Sequence, residues 1–386
     1  MIKQFKLERY FAEYEFRVRY ILCASDMEPL GMDELLSMGD DECRRLWREL
    51  QLGYTESAGH PVLREEIAGL YSGIGAEDVL VLAPEEGIFV AMNTLLEPSD
   101  HIIVTFPGYQ SLYEIARSLD CEVTVWMPEE STGWRFDLNF LKKSIKENTK
   151  MIVINLPHNP TAALISANEF GQILEIAGEN NIYLFSDEMY RFLEYDPSNR
   201  LPSACELYEN AVTLFGMSKS FALAGLRIGW LITKNRNLYS RFAKFKDYTT
   251  ICSSAPSEIL ALAGLRAKEK IIKRNLEIIN NNLSLLDEFF LRHDPILRWN
   301  RPKAGSIAFP KLLADKSSSD LCKELIEEQS VLLLPDSVYD YNGNNFRIGF
   351  GRTNMPEALG RFDRYLKKKM NELAFLQGNT PKMKYT

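Results

Sequence analysis

Between residues 79 and 232, seven short apolar runs alternate with longer segments of helical period, and this alternation restricts the fold more than any other feature of the chain. The runs occupy residues 79–83, 102–106, 122–126, 151–156, 182–185, 211–215 and 227–232. Most are apolar at consecutive positions, so both faces of each strand must be covered, as in a mainly parallel sheet flanked by helices. The intervening segments 86–96, 109–119 and 168–177 carry apolar residues at three- and four-residue spacing, as helices packed by one face do. The pattern predicts an α/β fold: three αβα layers around a mainly parallel seven-stranded sheet.

Beyond residue 233 the strand signal fades. Residues 258–290 read as one long or broken helix, and a second, smaller α+β unit follows, with strands at 306–310, 331–334 and 346–350 and helices at 318–329 and 356–371. The expected division is a large domain over residues 45–295 and a small domain made of residues 1–44 and 296–386, with a polar, frayed tail at 377–386. A chain of 386 residues, 46% hydrophobic, is long enough for two such cores. Its net charge of -8 argues against a nucleic-acid binder, which needs clustered Lys and Arg. The six cysteines form no CxxC pair and the four histidines no HExxH spacing, so neither a disulfide framework nor a metal site is expected. The amino terminus has no continuous apolar core of a signal peptide, and no apolar run approaches the roughly 20 residues of a membrane span. The expected location is the cytoplasm.

Five segments carry more polarity than a core explains. Lys219 lies between a buried strand and a glycine-marked turn, among Leu214, Phe215, Met217, Phe221 and Leu223 and with no carboxylate within five positions. Desolvation there disfavours the ammonium and leaves an amine nucleophilic enough to form an imine; snorkelling to water is the alternative for this segment alone. In Ala83-Pro-Glu85-Glu86-Gly87, a strand passes into a helix whose free amides suit an anion, although any strand-to-helix turn can carry glycine. Tyr109 after Phe106-Pro-Gly can stack on a flat ring or simply cap the core. Asn159, between two prolines, is held on a rigid loop at a strand's carboxyl end, the edge at which α/β sheets bind ligands. Asp187 ends a buried strand and needs a cation or a proton donor, a role that a protonated heterocyclic nitrogen fills. An imine-forming amine, a phosphate-sized amide cradle, a stacking aromatic and a carboxylate for a ring nitrogen are together what pyridoxal phosphate requires.

The order and spacing of these motifs over residues 50–352 resemble the class I/II aminotransferases, enzymes of the pyridoxal-phosphate-dependent transferase fold. The resemblance implies the following roles. Lys219 matches the Schiff-base lysine, and Arg227, eight positions on, the phosphate-binding arginine. Asp187 and Tyr190 match the D-x-x-Y pair that meets the pyridine nitrogen and the ring hydroxyl oxygen; Asn159 bonds that same oxygen. Tyr109 is the stacking aromatic, residues 85–87 are the phosphate loop, and Ser218 compensates a missing phosphate contact. Tyr54 reaches the phosphate of a neighbouring subunit, implying a homodimer. Arg347, in Phe-Arg-Ile-Gly-Phe, clamps the substrate α-carboxylate with a planar fork that lysine lacks; alone, it reads equally as a surface arginine on an alternating strand. The implied substrates are an amino acid and a 2-oxo acid.

Three positions depart from the family pattern: Gly216 for a serine or threonine, Ala162 for a glycine, and Gly349 for a serine or threonine. Two segments are expected to decide the substrate. Asp26 or Glu28, in Ser25-Asp-Met-Glu-Pro29, is a candidate partner for a cationic substrate side chain or an exposed loop carboxylate; residues 246–256 lie where a partner subunit contributes. Short phrases such as Pro157-His-Asn-Pro160 are similar to capreomycidine synthase, so a lyase or a cyclase acting on an amino acid is the alternative to transamination.

Overall fold

The computed structural model of the chain describes residues 1–376, with side chains through Lys369; the predicted tail at 377–386 lies outside the described residues. The seven predicted strands form one sheet: β1 (Val79–Leu82), β2 (His101–Thr105), β3 (Glu122–Trp126), β4 (Thr149–Asn155), β5 (Tyr183–Asp187), β6 (Ala211–Gly216) and β7 (Gly229–Ile232). Their order across the sheet is β1-β7-β6-β5-β4-β2-β3. All neighbours are parallel except β7, which runs antiparallel to both β1 and β6. This one reversal has a geometric consequence. The start of β7 lies at the same edge as the carboxyl ends of the other strands, where open α/β sheets bind ligands.

Six of the strands, all but β3, are buried at nearly every position, as their apolar runs require. Helices cover both faces; Pro84–Leu95 is among them, and it lies close enough to the sheet that a Cβ on Gly87 would sit 2.8 Å from Leu82 Cδ1. The segment expected to be one long or broken helix is two, Ala255–Arg266 and Lys268–Arg292, meeting at Ala267.

The smaller unit contains a three-stranded antiparallel sheet of Ile307–Ala308, Phe346–Gly349 and Leu334–Pro335, with helices Ser318–Gln329 and Met355–Leu376. Tyr20–Ile21 pairs in parallel with Val331–Leu332. Packing departs from the predicted boundaries at both ends. Helices Met32–Met38 and Asp41–Arg48 place Leu35 and Cys43 in one apolar cluster with Val79, Val81 and Phe215 of the large sheet, so they stand with the large unit and the division falls before residue 44. Helix Lys268–Arg292 begins in that cluster at Ile271 and ends among the small-unit side chains with Leu283 and Phe289. The change from one core to the other therefore falls within this helix, between Ile271 and Ile279, ahead of the predicted boundary at 295.

The amino-terminal segment is drawn across the middle of the molecule. Gly349 donates its amide to Leu22 O at 2.8 Å, and Glu28 donates to Gly351 O at 2.7 Å. A Cβ on Gly349 would lie 2.0 Å from Ala24 O, which explains why this strand carries glycine and not the serine or threonine of the family pattern. Gly349→Ala must push residues 22–26 away. We expect a loss of about 3 kcal/mol in urea unfolding, the range of overpacked or displaced core substitutions, and earlier proteolytic release of the amino-terminal segment; unchanged unfolding would show that the segment is not held here.

Candidate active site

The carboxyl edge of the sheet opens into a cleft of about 480 Å³ lined by residues from all five polar segments, together with Arg347. Lys219 follows β6, Asp187 ends β5, Asn155 and Asn159 belong to the end of β4 and its loop, Tyr109 follows β2, and Arg227 precedes the reversed β7. Arg347 enters from the small unit.

Lys219 Nζ lies 2.8 Å from Ser25 Oγ of the amino-terminal segment. Burial holds its ammonium below the usual lysine range, partly opposed by the nearby Asp26 carboxylate. Asp187 is 5% exposed. Its Oδ1 accepts the Met189 amide at 3.2 Å, and Asn155 Nδ2 donates to its main-chain oxygen at 3.1 Å. Desolvation pushes this carboxyl up to about 7, against the downward pull of the Met189 amide and of Lys219. Two buried hydroxyls on the same cleft, Tyr190 Oη and Ser218 Oγ, have no hydrogen-bond partner of normal geometry. Orphaned buried hydroxyls cost 1–3 kcal/mol or so each, and both are donors a phenolate or phosphate oxygen would satisfy. The donor set fits pyridoxal phosphate.

Arg347 is 2% exposed. Its Nε donates to Cys23 O at 3.0 Å and its Nη1 to Tyr339 Oη at 2.8 Å and Asn159 Oδ1 at 3.3 Å. Nη2 has no partner among the described residues. A guanidinium fixed on one side and open on the other is prepared for a carboxylate.

Some predicted contacts fall elsewhere. Glu85 lines the cleft, accepts the Ser111 hydroxyl at 3.1 Å, and has its carboxyl pushed up to about 7 by burial. Glu86 does not face the cleft; it accepts the hydroxyls of Thr249 and Thr250 and so anchors the 247–254 loop. Gly87 packs against the sheet, where the space its missing Cβ leaves is taken by Leu82, Leu214 and Leu231. Tyr109 lies on the cleft but donates to Glu8 Oε1 at 2.9 Å and packs against Phe5, so its ring is tied to the amino-terminal helix. Tyr54 is 93% exposed and outside the cleft of its own chain.

Asp26 and Glu28 are both engaged: Asp26 with Arg352 at 2.8 Å, Glu28 with the amide and hydroxyl of Thr353. Of the two remaining family departures, Gly216 has a steric cause here, and nothing in the structure explains Ala162. Gly216 faces Gly229 across β6 and β7, and a Cβ on it would lie 2.8 Å from Gly229 Cα. Ala162 has φ of 58°, the left-handed region where glycine is the ordinary choice and alanine costs about 1 kcal/mol.

The sequence reading missed one whole wall. Helix Lys6–Tyr14 and the residue that caps it bring Leu7, Glu8, Phe11 and Glu15 onto the cleft, with Ser25 beside Lys219 and Tyr339 behind Arg347. The signal was present, since Leu7, Tyr10, Phe11 and Tyr14 keep a helical period through the charges that hid it. Lys246 was also missed as a structural post. It is fully buried, and its Nζ donates to Ser57 O at 2.7 Å and Ile251 O at 2.8 Å, tying the Tyr54 loop to the 247–254 loop.

Known proteins match this arrangement over nearly its whole length. Aspartate aminotransferase of Pyrococcus horikoshii is 28% identical over 326 residues, covering 81% of this chain and 83% of that one. Capreomycidine synthase of Streptomyces vinaceus is 26% identical, covering 89% and 88%. The crystal structure of a PLP-dependent aminotransferase from Streptococcus suis superposes with a TM-score of 0.89 at 29% identity, covering 95% of this chain and 98% of that one. The profile of aminotransferase class I and II matches residues 46–362, and the chain belongs to that family of pyridoxal-phosphate-dependent aminotransferases.

Proposed function

We propose that Lys219, Asp187, Tyr190, Asn159, Tyr109, Ser218 and Arg227 hold pyridoxal phosphate in the cleft, and that Arg347 with Asn159 holds the α-carboxylate of the amino acid donor and then of the 2-oxo acid acceptor. The observation that carries this reading is the convergence on one cleft of a partly desolvated amine, a buried carboxylate and a half-paired guanidinium. When bound, the cofactor supplies an aldehyde for covalent attachment and a pyridinium ring that accepts electrons.

Each side chain then has a distinct task. Asp187, costly as a bare carboxylate, is stabilised as an anion by a proton on the ring nitrogen. Tyr190 and Ser218 satisfy their hydroxyls on oxygen acceptors, and the first-turn amides of helix Pro84–Leu95 with Arg227 face the phosphate. Arg347 fixes the carboxylate and so aims the donor's α-hydrogen at Lys219. Lys219 would take that proton as an amine, a form that its burial favours over the ammonium. The amino-terminal helix forms one wall of the cleft through Leu7, Glu8, Phe11 and Glu15.

We further infer a homodimer in which Tyr54 serves the partner's phosphate. Tyr54, Tyr248 and Leu52 are 93%, 91% and 87% exposed, and Lys246 ties their two loops together. Six unpaired cysteines suit a reducing compartment, in keeping with a cytoplasmic enzyme; among the described residues no helix is long and apolar enough to cross a membrane.

Single-turnover spectroscopy of the holoenzyme with a panel of amino acids tests the reaction. Full conversion of the cofactor to its aminated form, reversed by a 2-oxo acid, is the expected outcome; ammonia release or ring closure without that conversion would place the chain with the lyases or cyclases instead. Lys219→Ala should lower the rate of that conversion by about 10³-fold or more. Asp187 gives a pH signature. A carboxyl that titrates near 7 when folded and near 4 when unfolded binds an extra proton in the folded chain between those values, so the cofactor-free protein loses stability as pH rises from about 4 to about 7. Asp187→Asn should therefore make the cofactor-free chain more stable than the parent by about 2 kcal/mol at pH 8 and not at pH 4, measured by urea unfolding, while abolishing turnover. For the dimer, Tyr54→Ala should weaken cofactor retention about tenfold, the loss of one charge-assisted hydrogen bond. Co-expression with Lys219→Ala should restore part of the activity, because one site of each mixed dimer then holds both residues. Absence of recovery would mean Tyr54 acts within its own subunit.

A further inference from the structure

The charge of the cleft lining is uneven. Its cations are Lys219, Arg227 and Arg347, each with a role in the reading above, and this leaves no cation of this chain for a second carboxylate on the substrate. The acids on its amino-terminal side are Glu8, Glu15 and Asp26. Two are already committed: Glu8 accepts the Tyr109 hydroxyl at 2.9 Å and Asp26 holds Arg352 at 2.8 Å. The Glu15 carboxylate makes no hydrogen bond or ion pair among the described residues, although the residue is half-buried; only its amide is bonded, to Phe11 O at 2.8 Å. Its carboxyl is raised above the usual range first by burial and then by Asp26 and Glu8, so an added cation would relieve it.

Geometry links this free acid to the carboxylate anchor. Glu8, Phe11 and Glu15 fall at i, i+3 and i+7, one face of the helix Lys6–Tyr14 continued through its helical cap residue. The Phe11 ring centroid lies 5.8 Å from the Arg347 guanidinium carbon. A substrate whose α-carboxylate meets the open Nη2 of Arg347 thus has an aromatic surface beside it and a carboxylate one turn further along. Independently of the acids, the unpartnered Tyr190 and Ser218 hydroxyls, in residues 2% and 6% exposed, mark the same cavity as one that holds a ligand.

We propose that the amino acid this cleft accepts has a cationic side chain, an ammonium or a guanidinium, and that Glu15 is the specificity-determining residue that pairs with it across Phe11. The inference rests on the reading of the cleft as the donor site. The carbon chain of such a substrate lies on Phe11, where its cation also meets the negative face of the ring. A side-chain carboxylate in the same place meets Glu15 and the fields of Glu8 and Asp26, which excludes dicarboxylic amino acids by repulsion instead of by size.

Spectral titration of the holoenzyme measures this directly. Arginine against its neutral isostere citrulline, and ornithine against its neutral isostere norleucine, separate the guanidinium from the ammonium case. The parent is expected to bind at least one cationic member about tenfold or more tightly than its neutral isostere, and to bind aspartate and glutamate more weakly than either. Glu15→Gln should bring the cation-to-neutral ratio close to one, Glu15→Lys should turn the preference toward glutamate, and Glu13→Gln, on the exposed side of the same helix, should keep the parent ratio. Equal binding of both isosteric pairs by the parent, or a ratio unchanged in Glu15→Gln, overturns the proposal while leaving the donor-site reading intact. A cofactor spectrum that no amino acid perturbs overturns both.

Discussion

A carboxylate at the buried end of β5 is the constraint around which the cleft is organised. Asp187 has one amide and no cation in hydrogen-bond contact, and its burial lifts its carboxyl close to neutrality. An apolar core of this size tolerates such a group only where function repays it. The other unsatisfied groups gather at the same place: the Tyr190 and Ser218 hydroxyls and the open side of Arg347. Each is an unfavourable state that one ligand, bearing a protonated ring nitrogen, oxygen acceptors and a carboxylate-bearing adduct, relieves together. The cofactor-free fold is thereby strained toward its loaded form.

The second determinant is how the chain brings distant groups within reach. Parallel strands deliver their carboxyl ends to one edge, and reversal of β7 delivers Arg227 to it as well. Close backbone approach makes this possible. Gly216 opposes Gly229 under Pro84, and Gly349 lets residues 22–25 lie against the arginine strand. At Gly216 and Gly349 glycine stands where the family pattern has a hydroxyl side chain, and the space is used for close main-chain packing, with the Ser218 hydroxyl still free on the cleft. The amino-terminal segment held by that packing forms the roof and supplies Ser25, Glu8, Phe11 and Glu15 to the site.

Much of this was legible in the sequence because the relevant forces are local. Continuous apolar runs announce strands covered on both faces, and each of the seven appeared within a few residues of its predicted position. A lysine without a nearby carboxylate, an aspartate ending an apolar strand and a loop pinned by two prolines are likewise visible one segment at a time. What failed were inferences that depend on which neighbour a side chain meets. Nothing in the Ala83–Gly87 stretch showed that the Glu86 side chain turns to Thr249 and Thr250, or that Gly87 packs against three leucines of the sheet. Asp26 and Glu28 looked available to a substrate, yet Arg352 and Thr353, more than 300 positions away, engage them.

The sequence by itself determined the layered α/β architecture, the family and the residues able to do the chemistry, because periodicity and side-chain type carry that information along the chain. Tertiary structure alone decided which of those residues share a cavity, where the two cores divide along helix Lys268–Arg292, and that a charged amino-terminal helix closes the site with one acid left unpaired. Partners that lie hundreds of residues apart leave no periodic trace, so only the folded chain reveals which charges are spent on each other and which remain for a ligand.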